Sequence, residues 1–178
     1  MLRTVYLPVL LALLVCVEIQ AQPASDDTKA QPASVSTQAA TNWLSFSEAL
    51  AAAKISGRPI LVDVFAPWCP WCQKLQTEVY PDKDIQEYIE KNFEIARLDI
   101  EDKETTIEFR GYTLTSAELA SGLGAEATPT TVFLAANGDY ITRLPGFIDA
   151  DEFIHVLKYI GSGAFQSQAF KEYRAGQK

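Results

Sequence analysis

A buried-strand pattern and a helix start follow each other within one segment, residues 59–72, which reads Pro59-Ile60-Leu61-Val62-Asp63-Val64-Phe65-Ala66-Pro67-Trp68-Cys69-Pro70-Trp71-Cys72. Residues 59–65 form a near-continuous apolar run of strand length, which is typical of a strand covered on both faces. Asp63 is the one charged residue in this run. Pro70 suits the first position of a helix, where its missing N–H leaves no hydrogen bond unmade. The segment predicts a buried strand followed by a helix that Cys69 opens.

Helices and strands alternate on both sides of this segment. Capping boxes that begin at Ser45 and Thr115 predict two helix starts, and Asn137-Gly138 predicts a tight hairpin. Helices are predicted over about 46–56, 70–80, 82–92, 115–122 and 149–160, and strands over about 59–65, 93–100, 130–136 and 140–144. Residues 101–114 are polar and suggest a small hairpin. This order predicts an α/β fold with a central mixed β-sheet flanked by helices.

The first 21 residues have the layout of a secretory signal peptide. Arg3 gives a positive start, Leu7–Val17 is an apolar run, and cleavage is expected near Ala21. The apolar run is too short for an ordinary transmembrane helix, and an uncleaved membrane anchor is the alternative. Lipid attachment at Cys16 is disfavoured because Val15 stands where a small residue would be needed. These features predict an exported protein.

Three regions are expected after the signal peptide. Residues 22–41 are rich in Gln, Pro, Ala, Ser and Thr without apolar periodicity, so they predict a flexible linker. Residues 42–161 carry the patterns of one folded domain, and the tail 162–178 is expected to contribute a short docking helix. The net charge of −8 argues against nucleic acid as a partner, because phosphate binding needs clustered Lys and Arg.

Loss of the signal peptide would leave two cysteines, Cys69 and Cys72, at the start of the predicted helix. A disulfide between them closes too small a loop to stabilise the fold much, so the pair is better explained by chemistry. Free N–H groups and the dipole at a helix N-terminus favour a thiolate. We therefore expect Cys69 to be the reachable attacking nucleophile and Cys72 to be the shielded resolving thiol.

Other uses of two such cysteines fit the sequence less well. Structural zinc needs four ligands, whereas the processed chain offers two cysteines and the distant His155. Haem attachment needs a histidine directly after the second cysteine, where Gln73 stands. An inert structural disulfide is the remaining alternative. The prediction is a redox-active Cys69–Cys72 disulfide with no metal and no other cofactor.

Asp63 and Pro129 are the candidate functional residues outside the cysteine motif. A carboxyl group in a buried apolar strand should have a raised pKa, which would allow Asp63 to accept a proton from Cys72. A structural ion pair between Asp63 and Arg97 is an equally good interpretation of the sequence alone. Pro129 precedes an apolar strand, and by itself it reads as an ordinary strand-start proline.

Taken together, these motifs resemble the thioredoxin superfamily over about residues 43 to 161. The resemblance is carried by residues 60–69, Ala96-Arg97-Leu98-Asp99, Thr128-Pro129-Thr130, Asn137-Gly138 and Pro145-Gly146, in that order. It implies a thioredoxin-like fold in which Pro129 is cis and packs beside Cys69. It also implies that the Thr128 backbone binds an extended substrate segment, and that Asp63 and Arg97 match the family's buried Asp and its basic neighbour.

Within the superfamily the chain looks most like exported bacterial thioredoxins of the SoxW type. The features are the Cys-Pro-aromatic-Cys motif, the stretch Gly111–Glu118, the Leu144–Phe147 turn and a Phe-containing tail. This resemblance implies a periplasmic reductase that acts on client disulfides and draws electrons from a membrane thiol reductase. We expect the protein to be a monomer. Trp68, Pro70 and Trp71 are then expected to contact the client. The Pro-Trp pair between the cysteines departs from the Gly-Pro of ordinary thioredoxin.

Three other functions compete with a reductase. A disulfide-forming oxidant would fit the Cys-Pro-x-Cys motif, but such proteins carry a helical insertion for which the 27 residues 101–127 are too short. An isomerase would need a dimerisation domain that residues 22–41 cannot build. A non-enzymatic module could hold a client through Trp68 and Trp71, without turnover.

Overall fold

The computed structural model describes residues 41–177. The predicted signal peptide 1–21 and residues 22–40 of the predicted linker lie outside the described residues. No helix within 41–177 has the length and apolar character needed to cross a membrane.

The first helix shows how local sequence sets the element boundaries. Helix α1 spans Phe46–Ser56, and Ser45 and Glu48 form the predicted reciprocal capping box at its start. Gly57 ends the helix with a φ of 75°, a left-handed conformation that glycine adopts without a steric penalty. The prediction for this helix is confirmed.

The helix after the first strand begins at the cysteine motif. Helix α2 spans Pro70–Lys74, with Cys69 as its N-cap, and continues directly into a π-helical turn, Leu75–Val79. Helix α3 spans Lys83–Asn92 and is capped by Asp82. The sequence predicted both helices but gave no sign of the wider turn between them.

Within residues 41–177, six strands form a four-stranded sheet and a separate two-stranded hairpin. Strands β1, Ile60–Phe65, and β2, Glu94–Asp99, are parallel neighbours. Strands β5, Thr130–Leu134, and β6, Tyr140–Pro145, continue the sheet antiparallel, in the order β2-β1-β5-β6. The polar stretch forms the suggested hairpin from β3, Thr106–Phe109, and β4, Tyr112–Thr115. The predicted α/β class with a mixed sheet is confirmed.

The sheet has a hydrophobic core on each face. One face packs against α1, the β3–β4 hairpin and α4, which spans Ser116–Gly122. The other packs against α3 and α5, which spans Ala150–Gly161 and is capped by Asp149. Because strand side chains alternate, Val62 and Val64 lie on the first face and Leu61 lies on the second. Helix α6, Phe170–Ala175, packs against α5, where Phe170 contacts the Tyr159 ring.

The sheet register places the chemistry at one end. Val64 is opposite Thr130, so the segment that follows β1 lies at the same end of the sheet as the segment that precedes β5. The first of these segments carries Cys69, and the second carries Pro129. One register position inside, Asp63 lies between Arg97 on β2 and Thr131 on β5.

Candidate active site

The two cysteines form a disulfide at the start of α2. Their Cα atoms are 5.3 Å apart. Cys69 has extended backbone angles, so it is the N-cap and not a residue of the helix, and its Sγ accepts the Cys72 backbone N–H at 3.1 Å. In the reduced protein the same N–H would favour a negative charge on that sulfur.

The structure does not show the predicted difference in exposure between the cysteines. In this disulfide-bonded form Cys69 and Cys72 are each 2% exposed. Ala66 packs against both, with Phe65 and Ile100 partly covering the cluster. The position of Cys69 at the start of the helix does not by itself determine its exposure. In this disulfide-bonded form the packing with Ala66, Phe65 and Ile100 covers Cys69.

The exposed surface beside the disulfide is aromatic. Trp68 is 62% exposed and Trp71 is 55% exposed. The Trp68 indole N–H donates to Glu101 Oε1 at 2.7 Å. The Trp71 ring lies 5.4 Å from the ring of Phe147, and Lys74 Nζ sits over both rings. Pro70, between the tryptophans, is also exposed.

The Thr128–Pro129 peptide bond is cis. Pro129 is buried, and its carbonyl oxygen accepts the Gly146 N–H at 2.8 Å, which ties the β5 start to the end of β6. Thr128 is half-buried. Binding of a client segment to the Thr128 backbone stays a prediction.

Asp63 lies at the centre of a buried polar network. Its side chain is 1% exposed, and three side chains donate to it. Arg97 Nε lies 2.9 Å from Oδ2, Gln76 Nε2 lies 3.1 Å from the same oxygen, and the Tyr80 hydroxyl lies 3.2 Å from Oδ1. Thr131 hydrogen-bonds to Tyr80 in turn. The ion pair considered from the sequence is therefore present, within a larger set of donors.

Burial controls the protonation of this network. Desolvation raises the pKa of Asp63, although the Arg97 charge and the three hydrogen bonds act in the opposite direction. Burial, reinforced by the Asp63 charge, raises the pKa of Tyr80 well above its usual value. Tyr80 is therefore a neutral donor throughout the physiological range, and Asp63 is the group whose charge changes nearer to neutrality.

An open groove connects the cysteine pair with this network. Its walls include Cys72, Gln76 and Arg97. Asp63 is not among the lining residues, because Gln76 and Arg97 stand between it and the groove. Water in the groove can therefore contact Cys72 at one point and the partners of Asp63 at another. Cys72 and two partners of Asp63 therefore line the same groove.

Sequence reasoning missed several residues of the site. Gln76 and Tyr80 follow Cys72 at intervals of four, a helical repeat that points at the strand carrying Asp63 and that could have identified them. No sequence pattern pointed to Trp43, which contacts this network from the segment before α1. Glu101 and Lys74, the partners of the two exposed tryptophans, were also missed.

The redox-active disulfide belongs to the chain itself. Across residues 41–177, no three His, Cys, Asp or Glu side chains are grouped so that they could hold a metal ion. His155 lies on α5, away from the cysteine motif in the sequence.

Comparison with known proteins places this geometry in context. A family model described as a thioredoxin-like domain matches residues 46–161. Curated relatives include the thiol:disulfide interchange protein DsbD of Pseudoalteromonas atlantica, which is 30% identical over 118 residues, or 65% of this chain and 18% of the relative. The protein of the same name from Vibrio vulnificus is 26% identical over 141 residues, or 78% of this chain and 22% of the relative. The chain thus spans about a fifth of the length of these relatives.

Solved structures show the same fold. A thioredoxin from Thermus thermophilus has a TM-score of 0.55 and 28% identity, covering 68% of this chain and 87% of that one. A thioredoxin-fold protein from Helicobacter pylori has a TM-score of 0.57 and 22% identity, covering 67% and 82%. The predicted thioredoxin-like architecture is confirmed.

Proposed function

Because the chain belongs to the thioredoxin-like domain family, we propose that it is an exported thiol-disulfide oxidoreductase that reduces disulfides of periplasmic client proteins. Within the family we propose the SoxW-like type, with a membrane thiol reductase as the electron donor. The observation that carries the proposal is the cysteine pair itself. Cys69 caps α2, forms a disulfide with Cys72 and accepts the backbone N–H that would stabilise its thiolate.

The proposed reaction is two successive disulfide exchanges. The Cys69 thiolate attacks one sulfur of the client disulfide, and the client's other sulfur leaves as a thiolate that takes up a proton. Cys72 gives its proton to Asp63 and attacks Cys69 Sγ. The mixed disulfide breaks, the second client thiolate leaves, and the Cys69–Cys72 disulfide forms. Two electrons have passed to the client, and a dithiol of the membrane reductase returns them.

The remaining site residues have proposed roles in binding. Trp68, Pro70 and Trp71 form an exposed surface next to the disulfide, which suits contact with a client. Thr128, just before the buried Pro129, is proposed to pair with an extended client segment. The similarity to thiol:disulfide interchange proteins supports chemistry of this kind.

The reducing direction is supported by what lies between β2 and β5. Residues 101–127 contain the β3–β4 hairpin and the seven-residue helix α4. This is much less than the helical insertion expected of a strong periplasmic oxidant. The Pro-Trp pair between the cysteines also distinguishes the site from ordinary thioredoxin, so the reduction potential has to be measured.

Three measurements test the proposal: trapping of the mixed disulfide, the activity of cysteine variants, and the reduction potential. With a protein disulfide as substrate, Cys72→Ser should accumulate a mixed disulfide, whereas the matched variant Cys69→Ser should form none and lose turnover. If Cys69→Ala retained full activity, the chain would be a binding module and not an oxidoreductase. Equilibration with glutathione should give a reduction potential of about −270 mV. A reduction potential of about −120 mV would favour the disulfide-forming alternative.

A further inference from the structure

Trp43 lies outside the cysteine motif and is fixed to the edge of the sheet. It precedes α1, and the next residue, Leu44, forms a parallel bridge with Ala96 on β2 and donates its N–H to Ile95 O at 3.1 Å. This bridge holds the indole of Trp43, which is half-buried, over the second face of the sheet.

Trp43 touches each of the three side chains that donate to Asp63. Its indole N–H donates to Gln76 Oε1 at 3.3 Å. Its ring meets the Tyr80 ring edge-on, with centroids 4.9 Å apart. The Arg97 guanidinium carbon lies 5.5 Å from the Trp43 centroid and 3.7 Å from that of Phe65, so this cation is held between two rings.

The contact with Gln76 fixes the orientation of its amide. An indole N–H can only donate a hydrogen bond, and a carboxylate can only accept one. Gln76 lies between the two, so only one orientation satisfies both neighbours, with oxygen toward Trp43 and nitrogen toward Asp63. Without the indole, the amide could rotate and place its oxygen against the carboxylate.

We infer that Trp43 is a positioning residue, which sets the proton affinity of Asp63 by holding Gln76, Tyr80 and Arg97 around it. This inference rests on the proposed function only where it treats Asp63 as the proton acceptor of the resolving step. Losing any of the three donors removes an interaction that favours the charged form of Asp63, while the burial that disfavours this form remains. The pKa of Asp63 should then rise. Trp43 therefore controls the pH range in which Asp63 is available to accept a proton.

The groups that face Asp63 come from every element packed against it. Arg97 on β2 is charged, and Tyr80 at the end of the π-helical turn is a neutral donor. Strand β5 contributes Thr131, which is paired with Asp63 in the sheet. Cys72, on α2, lines the groove beside Gln76 and Arg97. Arg97 is thus the charge whose placement matters most, and Trp43 contacts it directly.

The test is a titration of Asp63 in the disulfide form, which needs no client and no turnover. The 13Cγ resonance of Asp63 would be followed with pH in the wild type, Trp43→Leu and Trp43→Phe. We expect the midpoint to move upward, by more in Trp43→Leu, which loses all three contacts, than in Trp43→Phe, which keeps a ring beside Tyr80 and Arg97. Gln76→Met, which removes the amide but leaves Trp43 in place, should also raise the midpoint.

The matched control is Tyr159→Leu. Tyr159 is also half-buried, and its ring packs on Phe170 and Tyr173 in the tail. An unchanged midpoint in folded Trp43→Leu or Trp43→Phe would overturn the inference, as would an equal shift in Tyr159→Leu.

A second readout connects the network to catalysis. In Trp43→Leu the pH profile of mixed-disulfide resolution should move in the same direction as the Asp63 midpoint. Resolution at neutral pH should slow on the order of threefold, the factor expected from losing one ordinary hydrogen bond. The Asp63 midpoint could shift in the Trp43 variants while neither they nor the wild type reduce a client. In that case the positioning role of Trp43 is supported and the proposed function is wrong.

Discussion

The candidate site has an exposed half and a buried half, and they are held in different ways. The exposed half comprises Trp68, which contacts Glu101, and Trp71, which contacts the half-buried Phe147. The buried half is centred on Asp63 and Tyr80, which are each 1% exposed, and the half-buried Gln76 and Arg97 are the other two donors to Asp63. Every buried side-chain nitrogen or oxygen in the described part of the chain has a hydrogen-bond partner. A polar group without water depends on its protein partners, whereas an exposed one can exchange them for water.

The buried half is expected to control proton transfer, and the exposed half is expected to control client binding. Substitutions in the buried half should change proton transfer and pH dependence, and their effects should not depend on the client. Substitutions in the exposed half should be smaller and should depend on the client's surface.

The largest effect is expected from Asp63→Asn. The amide cannot accept the Cys72 proton, so resolution of the mixed disulfide should slow about 100-fold near neutral pH, within the range of general base catalysis. The attack of Cys69 on the client should change much less. Rapid-quench trapping of the mixed disulfide separates the two steps.

The matched control for this substitution is Glu94→Gln. Glu94 is another buried acid, 8% exposed and paired with Arg58 at the opposite end of the neighbouring strand. Its substitution should leave the rate of resolution unchanged in the folded protein. Equal rates for wild type and Asp63→Asn would show that Asp63 serves only as the structural partner of Arg97.

The second prediction concerns stability and pH. Burial raises the pKa of Asp63 in the folded protein, and unfolding returns it to its ordinary value. Between these two values the folded state holds more protons than the unfolded state, so the contribution of Asp63 to the free energy of unfolding is lost as pH rises through that window. Each unit of elevation corresponds to about 1.4 kcal/mol.

Asp63→Asn should therefore be more stable than the wild type above the window and lose this advantage below it. For a domain of this size, 1 kcal/mol corresponds to about 4 °C in Tm. Thermal unfolding of the wild type and the variant, both in the disulfide form, from pH 4 to pH 8 measures this difference. The contributions of exposed carboxylates with a lowered pKa, such as Glu48 and Glu118, are the same in both proteins and cancel. A less stable Asn variant at pH 8 would mean that pairing with Arg97 outweighs burial.

In both halves the sequence predicts the features that depend on local pattern and strand topology. Cys69 at the start of α2 and the capping box at Ser45 were predictable because each signal lies within a few residues. The pairing of Asp63 with Arg97 followed from two adjacent parallel strands, whose register sets these residues side by side. These features depend on local pattern and topology.

The parts that were missed depend on packing between distant segments. Trp43 reaches Gln76 across 33 positions, and Trp68 reaches Glu101 across the same separation. The low exposure of Cys69 results from packing with Ala66, Phe65 and Ile100, not from its place on the helix. Such contacts follow from side-chain directions in the folded core, which no short motif encodes.

The third prediction concerns Trp71 and Phe147. Removing either ring with Trp71→Ala or Phe147→Ala should raise the KM for a protein client about fivefold, the loss expected for about 1 kcal/mol of aromatic contact. The rate with a small-molecule disulfide should not change, because such a substrate does not cover this surface. Tyr112→Ala is the control, since Tyr112 is 67% exposed on the β3–β4 hairpin and outside the proposed surface. An equal loss with the small substrate would place the effect on the cysteines and not on client binding.

The smallest effect is expected from the hydrogen bond between Trp68 and Glu101. Trp68→Phe keeps an aromatic ring but removes the N–H that donates to Glu101. Because both partners are exposed, water can replace either one, and the KM for a protein client should change less than about twofold. Glu101→Gln retains an acceptor and should change it less still. A tenfold loss in Trp68→Phe that Glu101→Ala reproduces would mean that this bond is desolvated when a client binds. The hydrogen bond of Trp68 would then depend on its protein partner, as the buried hydrogen bonds do, because the bound client excludes water from it.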